Sequence, residues 1–480
     1  MELRPMAESP TIIYDANIGS SQRSTIPAPI SVWYSLHHLC SMAAGAFIFF
    51  TGGMAMAQGL GWTEYRVTGY SGHFQYSWFV AVIIGIVLSL PAIRIMPKKF
   101  IMGISSLLIL AGGIVFTCSP HNLDALVAGR YLNGIAVGLA TTPYLTVISD
   151  ISRFGARGAC LGIEQLSLTL GMALQIIITT RWDVRSLLTT NSFHGILDII
   201  LAILAGISLW RFVESPVDYL RMGDEASALG ALARLQRPPR VNSATNISLV
   251  EHNTYLNEHC DLGICSSIGP MLKMIFFRSM MLAFTFSLPL SEMLKMSKST
   301  ILSKTSNPSA YLLNIPIVVA AMRILGAFLA LLATDRLGRK LPALISALAT
   351  GAFMISIAVI CRNYDNLDSA HAMSCVSSFC LMVQFCAGMF APLTSAYVAE
   401  AFPLKTKPYC IALCAVLEQV IQIIVLCLAD PIGNDGTLMA EGIMIVVASI
   451  YFGITMPETK QTSLREAQKR FRNLLNWKAI

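Results

Sequence analysis

The stretch GRYLNGIAVGLATTPYLTVISDISRFGARGACLGIEQLSLTLG, residues 129–171, decides how the rest of the chain is read. It is two long apolar segments joined by a short charged elbow, Asp150-Ile-Ser-Arg153-Phe-Gly-Ala-Arg157. An elbow this polar lies outside hydrocarbon, and one this short makes the flanking helices antiparallel neighbours. Gly129, Gly134 and Gly138 let another backbone approach the first helix closely, the small-residue packing used between helices in lipid. Arg130 opens that helix, and Gln165 lies a few turns inside the second. An amide in an apolar span needs a partner, and a ligand is one candidate.

The elbow recurs. Asp150 is followed seven positions later by Arg157, and Glu400 seven positions later by Lys407. Lys98-Lys99 recurs as Arg339-Lys340 within Asp335-Arg-Leu-Gly-Arg-Lys, and Val213-Glu214-Ser215-Pro216 recurs as Met456-Pro457-Glu458-Thr459. The copies stand about 240–250 residues apart in conserved order, the pattern expected of two parallel halves of one transporter.

Composition agrees. Of 480 residues, 55% are hydrophobic and 13% charged, and the mean hydropathy of +0.63 is far too apolar for a soluble chain. Runs long enough to span a bilayer follow one another at 37–60, 73–94, 100–119, 123–149, 158–180, 187–212, 274–294, 309–334, 341–361, 371–398, 408–429 and 437–456. The net charge of +7 fits loops facing anionic lipid better than nucleic acid. The 12 cysteines show no metal spacing, and most lie in apolar spans, so neither a metal nor a disulfide framework is expected.

Residues 1–36, with Pro5, Pro10, Pro27 and Pro29, read as a disordered cytoplasmic tail without a signal peptide. Basic residues are concentrated in the even-to-odd connections, at Arg94, Lys98, Lys99, Arg153, Arg157, Arg336, Arg339, Lys340, Lys405 and Lys407. The opposite side holds Arg66, Arg181, Arg185, Lys295, Lys298, Lys304 and Arg362. The bias places both termini in the cytoplasm. The expected organisation is a six-helix bundle at 37–212, a cytoplasmic linker with short helices at 213–273, a second bundle at 274–456 and a cytoplasmic tail at 457–480. Asn246-Ile-Ser, a formal glycosylation acceptor, then goes unused.

The chain resembles the sugar-porter branch of the major facilitator superfamily over nearly its full length. The resemblance rests on Gly129-Arg130, Gly134, Gly138, Asp150, Arg157-Gly158, Gln165, Glu214-Ser215-Pro216, Asp335-Arg336-Leu337-Gly338-Arg339-Lys340, Glu400-Ala-Phe-Pro403 and Pro457-Glu458-Thr459-Lys460. Within the branch it looks most like the facilitative trehalose and hexose transporters of insects. The resemblance implies an all-α integral membrane protein of twelve transmembrane helices in two six-helix halves, rocking about a central site. It also implies a cytoplasmic gate of Arg130, Asp150, Arg157, Asp335, Arg339, Glu400 and Lys407. Asp150 with Arg157 and Lys98 or Lys99 is expected as one cluster, and Asp335, Arg339, Glu400 and Lys407 as the other. Positive-inside topology alone is the plainer alternative for these charges.

Departures from the family pattern point to a remodelled cavity. Arg94 and Pro97 replace an Asp and a Gly. The seventh span reads Phe286-Ser-Leu-Pro289-Leu-Ser291-Glu292 in place of a Gln-Gln pair with a following Asn, and Ser395 replaces a stacking Trp in the tenth. Sugar recognition uses amides for hydroxyls and an aromatic face for the ring. Gln165 is carried over cleanly as substrate-binding, and Glu418, Gln419 and Gln422 in the eleventh span join it as candidates.

Asp198, Glu292, Glu418 and Glu164 are functional suspects as intramembrane acids. A place in the cytoplasmic cluster is the plainer reading of Glu164, and proximity to the outer surface that of Glu292. His37 and His38 read as interfacial. The first span lacks the acid of proton-coupled relatives between Ser41 and Leu60, which favours facilitative uniport of a hexose or disaccharide. Proton-coupled symport and a transport-poor sugar sensor are the alternatives. No enzyme motif and no cofactor site is recognised; the expected partners are a small sugar and the lipid bilayer of the plasma membrane.

Overall fold

Apolar runs become helices in lipid because a helix satisfies its own backbone hydrogen bonds. The computed structural model describes residues 35–62, 72–181, 188–237, 239–259, 262–305, 314–429 and 434–473. Twelve helices among them are long and apolar enough to cross a membrane. The first six are α1 (Leu36–Gly59), α2 (Gly72–Ile95), α3 (Lys98–Cys118), α4 (Leu123–Ile151), α5 (Arg157–Arg181) and α6 (Thr190–Leu209). Three short helices follow: α7 (Pro216–Arg221), α8 (Glu225–Leu235) and α9 (Ser243–His259). The second set is α10 (Cys265–Lys304), α11 (Ile315–Thr334), α12 (Lys340–Cys361), α13 (Ala370–Ala401), α14 (Lys407–Leu428) and α15 (Asn434–Thr455). A short α16 (Leu464–Arg472) comes last. The expected tail up to residue 34, Arg66 and Arg185 lie outside the described residues.

The two sets pack alike. α2 lies on α4 and α3 on α6; correspondingly α11 lies on α13 and α12 on α15. Both inner crossings depend on glycine: a Cβ on Gly138 would stand 2.2 Å from the Val82 carbonyl oxygen, and one on Gly388 2.2 Å from that of Arg323. Between the halves, α5 packs on α11 and α13, and α14 packs on α2.

The start of α1 and the ends of α4 and α6 share one face. His38 Nε2 lies 3.3 Å from Ser152 Oγ, and Ser41 Oγ accepts from the Val213 N–H at 2.9 Å. His38 is therefore buried under the α4–α5 elbow, and its expected interfacial place is corrected. The same face carries α7, α9 and α16, tied together by Val217, Tyr255, Leu404 and Leu464, and is called the linker face below.

The recurring acids cap helices in both halves. Glu214 accepts from the Lys99 N–H at 2.7 Å at the start of α3, and Glu458 from the Arg339 and Lys340 N–H groups at 2.9 and 3.0 Å at the start of α12. Free N–H groups and the positive end of the helix dipole collect there. Burial pushes the Glu214 carboxyl above its ordinary range, against the pull of the Lys99 N–H and Lys98. Gly338 turns the chain at φ +107°, where a side chain would strike Glu458.

α10 begins ahead of the expected 274 and is not one continuous helix. Ile275–Met280 is a π-helical turn, and the helix breaks at Phe286–Ser287 before restarting at Leu288-Pro289. Side chains of neighbouring helices satisfy the freed carbonyls: Gln384 Nε2 donates to Thr285 at 2.9 Å and Gln422 Nε2 to Phe286 at 3.3 Å. Broken spans are tolerated in membranes where such partners exist.

Candidate functional site

A cavity opens between the halves. Gln165, Arg323, Glu418, Gln419 and Gln422 supply its polar wall, from α5, α11 and α14; Met56, Phe79, Leu168, Met172 and Leu282 supply the apolar one. All four expected substrate-binding residues are thus brought together. Gln165 is buried and its Nε2 makes no hydrogen bond, whereas the Gln422 amide nitrogen holds the α10 break.

Beside the cavity lies a charge cluster that crosses the halves. Arg278, in the π-helical turn, donates to Glu164 of α5 through Nη2 at 2.7 Å and Nη1 at 3.3 Å. Its Nε donates to Glu418 at 3.2 Å and its Nη1 to Ser395 Oγ at 3.2 Å, while Ser395 donates to Glu164 at 2.6 Å. Glu164 therefore belongs to the core of the molecule, which corrects the plainer reading that placed it with the cytoplasmic charges. A paired guanidinium and carboxylate survive such burial only with their remaining hydrogen bonds filled.

At the linker face the acids and bases exchange partners between halves. Lys407 of the second half pairs with Asp150 of the first at 3.1 Å. Arg157 of the first half reaches Glu400 of the second at 3.7 Å. Arg339 donates to Glu400 and, at 3.1 Å, to Asp335, which also accepts the Gly158 and Ala159 N–H groups at 3.2 and 2.9 Å. The expected clusters are corrected in part: Asp335, Arg339 and Glu400 do stand together in the second half, but Lys407 leaves that group for Asp150 and Arg157 pairs with Glu400, both across the halves. Lys98 pairs instead with Asp218 of α7 at 2.5 Å. Asp150 and Glu400 sit at helix C-termini, and Arg157 and Lys407 at N-termini, each on the end its charge disfavours. An opposite charge from the other half helps to compensate each placement, and Glu400 has Arg339 of its own half as well.

Arg130, expected with these charges, is not among them. It lies about two turns into α4 while Asp150 ends that helix, and 20 intervening steps at 1.5 Å make roughly 30 Å. Fully buried, Arg130 donates to the Ala55 carbonyl at 2.7 Å and Ser77 Oγ at 3.2 Å and lies 4.4 Å from the Phe74 ring centroid. On that far side the halves also meet, with Trp62 stacked on Phe286 at 4.7 Å and Ser291 donating to the Leu60 carbonyl at 2.8 Å. Of the other intramembrane acids, Asp198 lies 3.4 Å from His194 and Glu292 accepts from Asn434 at 3.4 Å; neither lines the cavity.

Arg278 and Arg323 were not singled out by sequence. Arg323 was findable as the one charge in IPIVVAAMRILGAFLALLAT. Arg278 was likewise findable as the one basic residue in the expected seventh span, 274–294.

Comparisons with known proteins agree with this architecture. Residues 37–471 match the family model described as sugar (and other) transporter. The D-xylose-proton symporter-like 3 of Arabidopsis thaliana, a chloroplastic protein, is 23% identical over 396 residues, 76% of this chain and 68% of that one. The galactose-proton symporter of Escherichia coli K12 is 23% identical over 403 residues, 80% and 81% of the two chains. The proton:xylose symporter XylE bound to 6-bromo-6-deoxy-D-glucose aligns at a TM-score of 0.72 with 18% identity, covering 91% of this chain and 98% of that one. Its inward open conformation, from E. coli, aligns at 0.60 with 18% identity, covering 90% and 98%.

Proposed function

Because this chain belongs to the sugar (and other) transporter family, we propose that it carries a hexose or a disaccharide such as trehalose across the plasma membrane by alternating access, as a facilitative uniporter. The moving bodies are the bundles at 37–212 and 274–456, joined by the linker 213–273 and flanked by tails 1–36 and 457–480. The linker face is cytoplasmic, in keeping with its basic connections. No enzymatic step and no nucleic-acid partner enters this reading. The observation that carries it is the reciprocal exchange at that face: Asp150 with Lys407, and Glu400 with Arg157. Such pairs form only while the face is closed, so they bias a two-state equilibrium.

Uptake of labelled sugars by the purified protein in liposomes, with and without a proton gradient, tests it. Gradient-independent equilibration supports uniport, and saturable binding without uptake favours a sensor. One observation supports a second reading, proton symport. Glu164 and Glu418 share the single guanidinium of Arg278, so one of the two carboxyls has a charge that Arg278 does not balance. Accumulation driven by the gradient, lost in Glu418→Gln, would establish that reading.

A further inference from the structure

We propose that Arg323 is a charge-recognition site for an acidic sugar, a polyol bearing one carboxylate, such as a hexuronate. This rests on the transport reading above and narrows its substrate class.

Arg323 sits in the middle of α11, is 4% exposed and lines the central cavity. A guanidinium stays charged in a protein, and a charge in an apolar span is costly unless it is partnered. Arg157, Arg278 and Arg339 each have a carboxylate within ion-pair distance. Arg323 has none among the described residues. Its hydrogen bonds run through Nη1 alone, to Gln384 Oε1 at 2.7 Å and the Thr285 carbonyl at 3.4 Å, and both partners are neutral. The guanidinium carbon lies 4.8 Å from the Phe286 ring centroid, and Phe286 is itself stacked on Trp62. These contacts fix the plane of the group without neutralising it.

What they leave over is the Nε–Nη2 edge. Nε is buried and makes no hydrogen bond. That edge is the one that clasps a carboxylate through two parallel, charge-assisted bonds. Gln165 and Gln419 in the same cavity offer amides to hydroxyls. Glu418 shares the cavity but is held by Arg278 at 3.2 Å. Its charge repels a second carboxylate, which orients the acid group toward Arg323 and the hydroxyls toward α5 and α14.

The test uses the full chain in liposomes and in detergent, with glucuronate, glucose and glucose 6-phosphate as probes. Wild type should take up glucuronate roughly tenfold or more faster than glucose at equal low concentration, in line with a charged hydrogen-bonding pair, and a membrane potential should change that rate. Arg323→Gln should reverse the preference. Arg323→Lys, which keeps the charge, should retain it with weaker affinity. Equal handling of both solutes by wild type, or an anion preference that survives in Arg323→Gln, overturns the proposal. Thermal unfolding in detergent separates this from failure of the transport reading. A glucuronate-dependent rise in wild-type Tm that is absent in Arg323→Gln supports the site even without uptake. A rise with glucose alone, or with none of the three, overturns it. An Arg323-dependent preference for glucose 6-phosphate retains the charge site and exchanges carboxylate for phosphate.

Discussion

Replacing Lys407 by Met should open the linker face. Lys407 is 1% exposed; its ammonium lies 3.1 Å from Asp150 and also donates to Ser149 Oγ. Removing one member of a buried ion pair costs about 3–5 kcal/mol when the other stays buried. Asp150 keeps two hydroxyl donors, Ser215 at 2.7 Å and Ser149 at 3.2 Å, each returning about 1 kcal/mol. The closed state then loses roughly 2 kcal/mol, because the open state hydrates Asp150 in either protein. That shifts the closed-to-open ratio about 30-fold. Spin labels at the exposed positions Arg153 and Lys405, one on each half, report the change by dipolar spectroscopy. The longer-distance population should grow in Lys407→Met and fall back when Asp150→Asn is added. A distance distribution unchanged in a folded Lys407→Met protein would refute the gate and leave these charges as topology signals.

Gly158→Ala should open the same face without removing a charge, because the new Cβ would stand 2.3 Å from Thr334 Cγ2 and 2.7 Å from both Arg339 Nη2 and Asp335 Oδ1; the same spin-label pair reads it. Gln165→Leu should weaken substrate binding by roughly 1–3 kcal/mol at normal surface expression; unchanged affinity with altered Tm would make Gln165 a packing residue. Arg278→Gln strips Glu164 and Glu418 of their shared cation and should destabilise the protein by on the order of 3–5 kcal/mol, read as a sharp fall in Tm, with Glu164→Gln in the same protein recovering part of the loss. A glycosylation acceptor placed at residue 240 should remain unmodified in cells; modification there would reverse the orientation proposed above.

The spans were legible because length and apolarity alone decide what crosses a bilayer, and the halves were legible because their elbows and caps repeat. Partner choice at the linker face was not. Asp150 and Arg157 are near in sequence, yet they close on Lys407 and Glu400 of the other half, and only the packing of α5 against α11 and α13 brings that about. Arg130 was misplaced because it shares a motif with Asp150, although a helix carries the two ends of that motif to opposite sides of the membrane. Ser395 reads in sequence as the loss of an aromatic ring. In three dimensions it is a donor to Glu164, so the tenth span gained a hydrogen bond where it lacks a stacking surface.

The proposed gate and the cavity share α5, which would tie their motions together. Gly158 and Ala159 at its start donate to Asp335, and Glu164 and Gln165 follow about two turns later, roughly 10 Å along the same axis. Between them a Cβ on Gly162 would stand 2.5 Å from Leu331 Cδ2, so this whole segment lies tight against the second half. α5 runs unbroken from Arg157 to Arg181, with no hinge to absorb a tilt. A movement that releases Gly158 from Asp335 therefore also draws Glu164 away from Arg278. Opening the linker face must break a buried ion pair beside the cavity as well as those at the surface. A solute shifts that equilibrium only through contacts it makes better in one state than in the other. One bridging Gln165 of the first half and Arg323 of the second gains such contacts while the halves are together, at the point where separation costs most.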